Sequence, residues 1–322
     1  MSSVGLVLGG GGVTGAAYQT GVLTAIQLAT GWDPRSADVV VGTSGGAVVA
    51  AMARGPGVSM HALVGDAATR EEFAGELRSQ IFQRTRLKGV ARWARHGLLR
   101  GLRHPGVNFV LGTPAPYRAD GIGDWVNDRF GPFHSWPDKA TVIASYDLAS
   151  GRRVAFGTQD GPDVSLPEAV AASCAVPLFY EPYRIDGRDY VDAGVVSGTN
   201  ADLVLGAPEP LDLLIIIAPI GVSSSRSRQR FYEPMFDRAG RLALGEEIER
   251  IEEEWPNIEI LVMMPSDVVL AQMRPNPMSP EATVPTFIRT LRSMKRELAE
   301  PETWAVLERH LEPTLEGSNA FD

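Results

Sequence analysis

Five short apolar runs punctuate the chain, at 5–8, 39–41, 141–144, 213–218 and 258–263, each rich in Val, Ile or Leu. Runs of this length without polar alternation predict strands buried on both faces, as in a parallel sheet. Helical spacing separates them. Over 15–28, Val22, Leu23, Ile26 and Gln27 fall on neighbouring turns, and Gly31 follows as a stop signal. Further helices are predicted over 238–254, 285–298 and 302–310. Strands alternating with helices imply an α/β fold, a mostly parallel central sheet with helices on both faces.

Residues 53–139, between the second and third strands, hold no convincing strand pattern. A plain crossover needs only about a dozen residues. The excess over 55–138 predicts a helical insertion or lid covering one edge of the sheet, within a single domain spanning 1–322. The serine-rich stretch 222–230 (VSSSRSRQR) predicts a loop, and the chain beyond Pro313 a frayed end.

Composition is that of an ordinary globular chain of 322 residues, 44% hydrophobic and 21% charged. The net charge of −9 speaks against nucleic acid as a partner. That average hides an asymmetry. Residues 77–119 carry nine Lys or Arg and no acid, leaving 21 basic against 39 acidic residues elsewhere. Within 84–104, Leu87, Ala91, Ala94, Leu98 and Leu102 form an apolar stripe at helical spacing, with Trp93 near its side. Arg84, Lys88, Arg92 and Arg95 flank it. Such a helix suits peripheral contact with an anionic membrane surface, a gate over an acyl pocket, or plain packing on the core. Cys174 is the single cysteine, so no internal disulfide forms, and neither a metal site nor a cofactor is expected. No Sec-type leader is evident, and the longest apolar stretch, 211–220, is broken by Asp212 and Pro219. A cytoplasmic location is expected, with peripheral membrane contact through 84–104 as an extension of it.

Two glycine-bearing turns carry the chemistry. LVLGGGGVTG (6–15) satisfies G-x-G-x-x-G after an apolar run, the pattern of a dinucleotide loop. A dinucleotide site also expects an acid at the end of the second strand, about 20 residues on. Here Asp38 begins that strand and Gly42-Thr43-Ser44 ends it. The second turn, GTSGG (42–46), matches G-x-S-x-G between an apolar strand and a small-residue helix, the setting of a nucleophile elbow. A serine nucleophile needs a base. Of the five histidines only His310 comes late in the chain, in LERHLEP, which reads as an exposed helix face. Two acids compete instead. Asp192 ends a hairpin of strands 183–185 and 188–191 closed by Asp186-Gly187, and Asp147 follows the third strand in SYDLASG. On local grounds the two are equal candidates. Ser165 and Glu168 add a capping box for a helix running towards Ala175.

Four stretches in this order, LVLGGGGVTGAAYQTGVL, VVVGTSGGAVVAAM, AVAASCAVPLFYEPY and YVDAGV, resemble the patatin-like phospholipase family over residues 5–205. The resemblance implies a three-layer α/β/α fold and a serine acyl hydrolase of phospholipase A, lysophospholipase or carboxylesterase type, acting on a lipid or other acyl ester. By it Ser44 is the nucleophile, Asp192 its partner in a Ser–Asp dyad, Gly10, Gly11 and Gly12 the oxyanion hole, and Asp147 structural. The buried setting such a base needs would raise its pKa. The family often has Lys or Arg where Thr14 stands and His at Tyr18. Ala193 fills a usual glycine position, where a positive φ would cost about 1 kcal/mol or more. A silent lipid-binding or scaffold relative, or a dinucleotide-binding protein, are the alternative functions.

Overall fold

The computed structural model describes residues 2–85, 111–112, 115–220 and 233–314, with side chains in the last span from residue 243 onward. The loop expected at 222–230, most of the basic stretch 84–104 and the chain past 314 lie outside the described residues.

Each apolar run is a strand: β1 (Val4–Leu8), β2 (Val39–Thr43), β5 (Ala140–Asp147), β9 (Leu213–Ile217) and β10 (Glu259–Met263). They lie parallel in the order β10-β9-β1-β2-β5. Alternate residues serve opposite faces, as the pleat requires. Leu6, Leu8, Val40, Ile215 and Ile217 enter one core, whereas Val7, Val39, Val41, Leu214 and Ile216 enter the other. On the first face lie α1 (Gly12–Thr30) and α2 (Gly45–Arg54). The second face is closed by a 3-10 segment, Ala201–Gly206, and by α7 (Glu233–Glu254). The architecture is three-layer α/β.

The described parts of the 55–138 region form α3 (Met60–Val64), α4 (Arg70–Ile81), α5 (Asp120–Phe130) and a two-residue ladder of β3 (Gln83–Arg84) with β4 (Tyr117–Arg118). Helix α5 packs on α6 (Leu166–Ser173) and on α2, so these helices extend the layer on the first face. Helix α6 begins with the Ser165–Glu168 capping box. Beyond β10 follow α8 (Asp267–Met273), α9 (Thr283–Glu297), which packs along α1, and α10 (Pro301–His310).

Three antiparallel strands complete the sheet: β6 (Arg152–Phe156), β7 (Tyr183–Ile185) and β8 (Arg188–Asp192). Strand β6 was absent from the sequence-based expectation because RRVAF offers only three apolar residues. Its register along β5 covers Ile143–Asp147. Strand β2 covers Ala140–Ala144 and β8 covers Ser145–Asp147 of the same strand. A strand has two edges, and both β2 and β8 overlap β6, so β2 and β8 share the edge that β6 leaves free. Thr43 therefore ends opposite Ala144, and Asp192 arrives opposite the next residue, Ser145, from the other direction.

Candidate active site

Glycines build the serine turn. Ser44 follows β2 as the N-cap of α2, with φ 54° and ψ −123°. A non-glycine residue held there stores about 1–3 kcal/mol of strain, which its surroundings must hold in place. A Cβ on Gly46 would lie 1.9 Å from the Leu8 carbonyl oxygen, and one on Gly45 2.4 Å from that of Gly12. The two glycines let α2 press against the end of β1 and the start of α1. On the other side of the serine, a Cβ on Gly10 would come within 3.5 Å of Ser44 Cβ. The glycine loop and the serine turn form one site.

Ser44 is buried, and its side chain makes no capping bond to α2. Its hydroxyl lies instead close enough to the Asp192 carboxyl to lower that group's pKa. Asp192, 5% exposed, accepts a bond at Oδ1 from Gly194 N–H at 2.7 Å. Burial pushes its carboxyl up from 3.8 to about 6, against the lowering effect of Ser44 and Gly194. Desolvation outweighs both because removing a carboxylate from water disfavours its charge strongly. Strand β8 is fixed by Ser145 Oγ donating to Val191 C=O at 2.8 Å and by an edge-to-face pair of Phe156 with Tyr190.

Asp147 is elsewhere engaged. It stands two residues further along β5, accepting from Ala149 N–H at 2.8 Å and from Arg188 Nη1 at 3.0 Å. The structure thereby separates two acids that local sequence left equal. His310, expected on an exposed face, is instead largely enclosed, its ring nitrogens bonded to Ser2 Oγ at 3.0 Å and Glu259 Oε2 at 2.5 Å. Both partners sit at the amino end of the sheet, opposite Ser44, because Ser2 precedes β1 and Glu259 opens β10.

In the glycine loop, Gly10 N–H donates to Gly198 C=O at 2.7 Å. Of the three glycines expected to supply amides, Gly10 is thus already engaged, since the loop after Asp192 folds back over it. Gly11 and Gly12 open α1, where backbone amides lack intrahelical acceptors, and neither has a backbone acceptor among the described residues. Thr14 is fully buried, with Oγ1 unpaired among the described residues, and the first turn of α1 carries no charged side chain. Tyr18 is buried beside it on the same helix, and burial together with Glu297 pushes its phenol up. Ala193 has an ordinary backbone, for the positive-φ residues other than glycine are Ser44, Leu178, Asp186 and Asn200 among those described. The cost feared for an alanine there does not arise.

Residues to which the sequence reading gave no role complete the site. Ser173 Oγ accepts from Ser44 N–H at 2.8 Å, Cys174 Sγ donates to Ser44 C=O at 3.3 Å, and Ala175 C=O accepts from Asp192 N–H at 3.0 Å. Beneath them, Asn200 Nδ2 donates to Thr43 Oγ1 at 3.1 Å, and Thr199 Oγ1 donates to the buried Glu247 at 2.6 Å. The sequence signals for the first group are the capping box that starts α6 and the stretch AVAASCAVPLFYEPY, which carries part of the family resemblance without a stated role.

The matching family model describes patatin-like phospholipases and covers residues 6–205 of this chain. The chain belongs to the patatin-like phospholipase family. At family level this is a lipid ester hydrolase group. Uncharacterized NTE family proteins of Mycobacterium bovis and of two Mycobacterium tuberculosis strains are each 32% identical over 214 residues. The match takes in 63% of this chain and 48% of each of theirs, so the chain spans about half the length of these relatives. VipD from Legionella pneumophila superposes with a TM-score of 0.36 and 12% identity, over 91% of this chain and 67% of its own. Among the described residues of this patatin-like chain, no helix is long and apolar enough to cross a membrane.

Proposed function

We propose that this patatin-like chain is a serine acyl hydrolase working through a Ser44–Asp192 dyad. The observation that carries the reading is that the strained Ser44 turn and the buried Asp192 meet where Thr43 and Asp192 stand opposite neighbouring residues of β5, and burial pushes the Asp192 carboxyl up to about 6. An ordinary carboxylate is a weak base, and matching its pKa towards neutrality improves proton transfer. Ser44 Oγ attacks the ester carbonyl while Asp192 takes its proton. The carbonyl oxygen becomes an oxyanion, held by the Gly11 and Gly12 amides with Gly10 leaving room beside Ser44. Each such donor is typically worth about 3–4 kcal/mol. Protonated Asp192 then gives its proton to the departing alkoxide. Water, deprotonated in turn by Asp192, releases the acid and regenerates Ser44.

Substrates consistent with the family are phospholipids, lysophospholipids, neutral glycerides and small esters. A dinucleotide is disfavoured because β2 ends in Thr43 and Ser44 rather than in a ribose-binding acid. Fluorophosphonate labelling followed by peptide mapping tests the reading. The label is expected on Ser44 and absent from Ser44→Ala, with Asp192→Asn losing at least a hundredfold in ester turnover. Labelling that persists undiminished in Ser44→Ala would remove Ser44 as the nucleophile.

A further inference from the structure

Three consecutive residues, the last of α6 and the two that follow it, touch both members of the proposed dyad. Ser173 Oγ, fully buried, receives the Ser44 amide at 2.8 Å. The Cys174 thiol reaches the Ser44 carbonyl at 3.3 Å, from the other side of the same residue. The Ala175 carbonyl takes the Asp192 amide at 3.0 Å, where β8 ends. These bonds come from one rigid source, since Ser165 and Glu168 cap the start of α6 and its body is buried between α2 and β5.

We propose that Ser173, Cys174 and Ala175 form a positioning element that fixes Ser44 in its strained conformation and sets its spacing from Asp192. The proposal rests on the dyad reading above and gives a role to residues of the AVAASCAVPLFYEPY stretch that the resemblance left without one. The physical need is plain. At φ 54° the Ser44 peptide is held against its own preference, and Ser44 and Asp192 enter the site on strands running in opposite directions. Neither strand alone fixes the gap between them. Pairing along β5 reaches Asp192 but stops at Thr43, and the bonds from residues 173–175 extend the anchorage to the Ser44 peptide. Side chains act at Ser44, so substitution can loosen the nucleophile alone, whereas the backbone bond at Ala175 keeps Asp192 in place. Burial and the nearby Asp192 charge push the Cys174 thiol well up, so it stays protonated and remains a donor.

The test uses hydrolysis of p-nitrophenyl butyrate by the full chain, with kcat, KM and the pH profile measured separately. Ser173→Ala and Cys174→Ala are expected to lower kcat about 10-fold to 100-fold while KM stays within twofold. Cys174→Ser, which keeps a donor, restores most of the loss. The acid limb of kcat/KM should also move to higher pH in Ser173→Ala, because the Ser44 hydroxyl lowers the Asp192 pKa and loosening it removes that effect. The groups near that carboxyl are the Ser44 hydroxyl, the Gly194 amide and the Cys174 thiol, of which the thiol alone could also titrate. Wild-type kcat and an unmoved acid limb in folded Ser173→Ala and Cys174→Ala would overturn the proposal while leaving the dyad intact. Equal losses in Cys174→Ser and Cys174→Ala would overturn it for Cys174. Should Ser173→Ala fail to fold, the two Cys174 variants decide. Full turnover in Ser44→Ala, or a wild-type chain that neither hydrolyses the ester nor accepts a fluorophosphonate, overturns the dyad reading and this proposal with it.

Discussion

Asp192 is a buried acid whose charged form is disfavoured, and that has a cost for the fold. Its carboxyl ordinarily titrates at 3.8 and is pushed up to about 6 in the native state. Between these values the native chain holds a proton that the unfolded chain has released. Stability therefore falls as pH rises through this window and levels off above it. A shift of this size is worth about 2–3 kcal/mol at 1.36 kcal/mol per unit. Asp192→Asn keeps an oxygen for Gly194 N–H and has no charge to bury. Urea denaturation should show it equal to wild type near pH 4 and about 2–3 kcal/mol more stable at pH 7.5. A difference that does not vary with pH would mean that burial of the charge is not its source. Turnover runs the other way. Since the base must be unprotonated, kcat/KM of wild type is expected to drop about tenfold per pH unit below 6. At this scale the sequence was only half legible. Ser44 stood out by its glycines, but Asp147 and Asp192 had the same local credentials. Register along β5 distinguishes them, and register is a long-range property of strand pairing.

Among the elements, the parallel strands were legible because each is a continuous apolar run with a bounded length, and the observed strands differ from the expected ones by a few residues at the ends. Strand β6 was not, since RRVAF pairs along β5 while only Phe156 is fully buried. The capping box at Ser165 was readable, yet what its helix does for Ser44 depends on a contact 129 residues away. Glycine spacing was the most informative element-level signal, and the structure gives it a steric content. A side chain at Gly46 meets backbone, with the Leu8 oxygen at 1.9 Å and its carbonyl carbon at 2.4 Å, so no rotamer relieves it. Helix α2 would have to move off β1 and carry Ser44 away from the glycine loop. Gly46→Ala is expected to lose about 3 kcal/mol or more, at the upper end of overpacking costs, and to lose fluorophosphonate labelling with it. Thermal melts and soluble yield read the first effect. An unchanged midpoint would mean that the close approach of α2 to β1 is not as tight as described.

At the scale of the whole molecule, the two ends of the sheet do different work. The carboxyl end gathers the glycine loop, Ser44 and Asp192. The amino end gathers parts of the first and last described segments: Ser2 ahead of β1, Glu259 at the start of β10, and Arg309 and His310 at the close of α10. His310, Glu259 and Ser2 reproduce the residue types of a serine–histidine–acid triad, and types alone could have been read that way. Position decides otherwise, because the sheet's own length stands between them and the glycine loop. The cluster is a clasp between the first and last described segments. His310→Ala removes two side-chain bonds and part of the packing of α10 against β10, so a fall of about 1–3 °C in Tm is expected for a domain of this size. Ester turnover should stay within twofold of wild type and its acid limb should not move. A large loss of kcat with an unchanged Tm would reverse the assignment, making His310 part of the chemistry and the two-residue dyad incomplete.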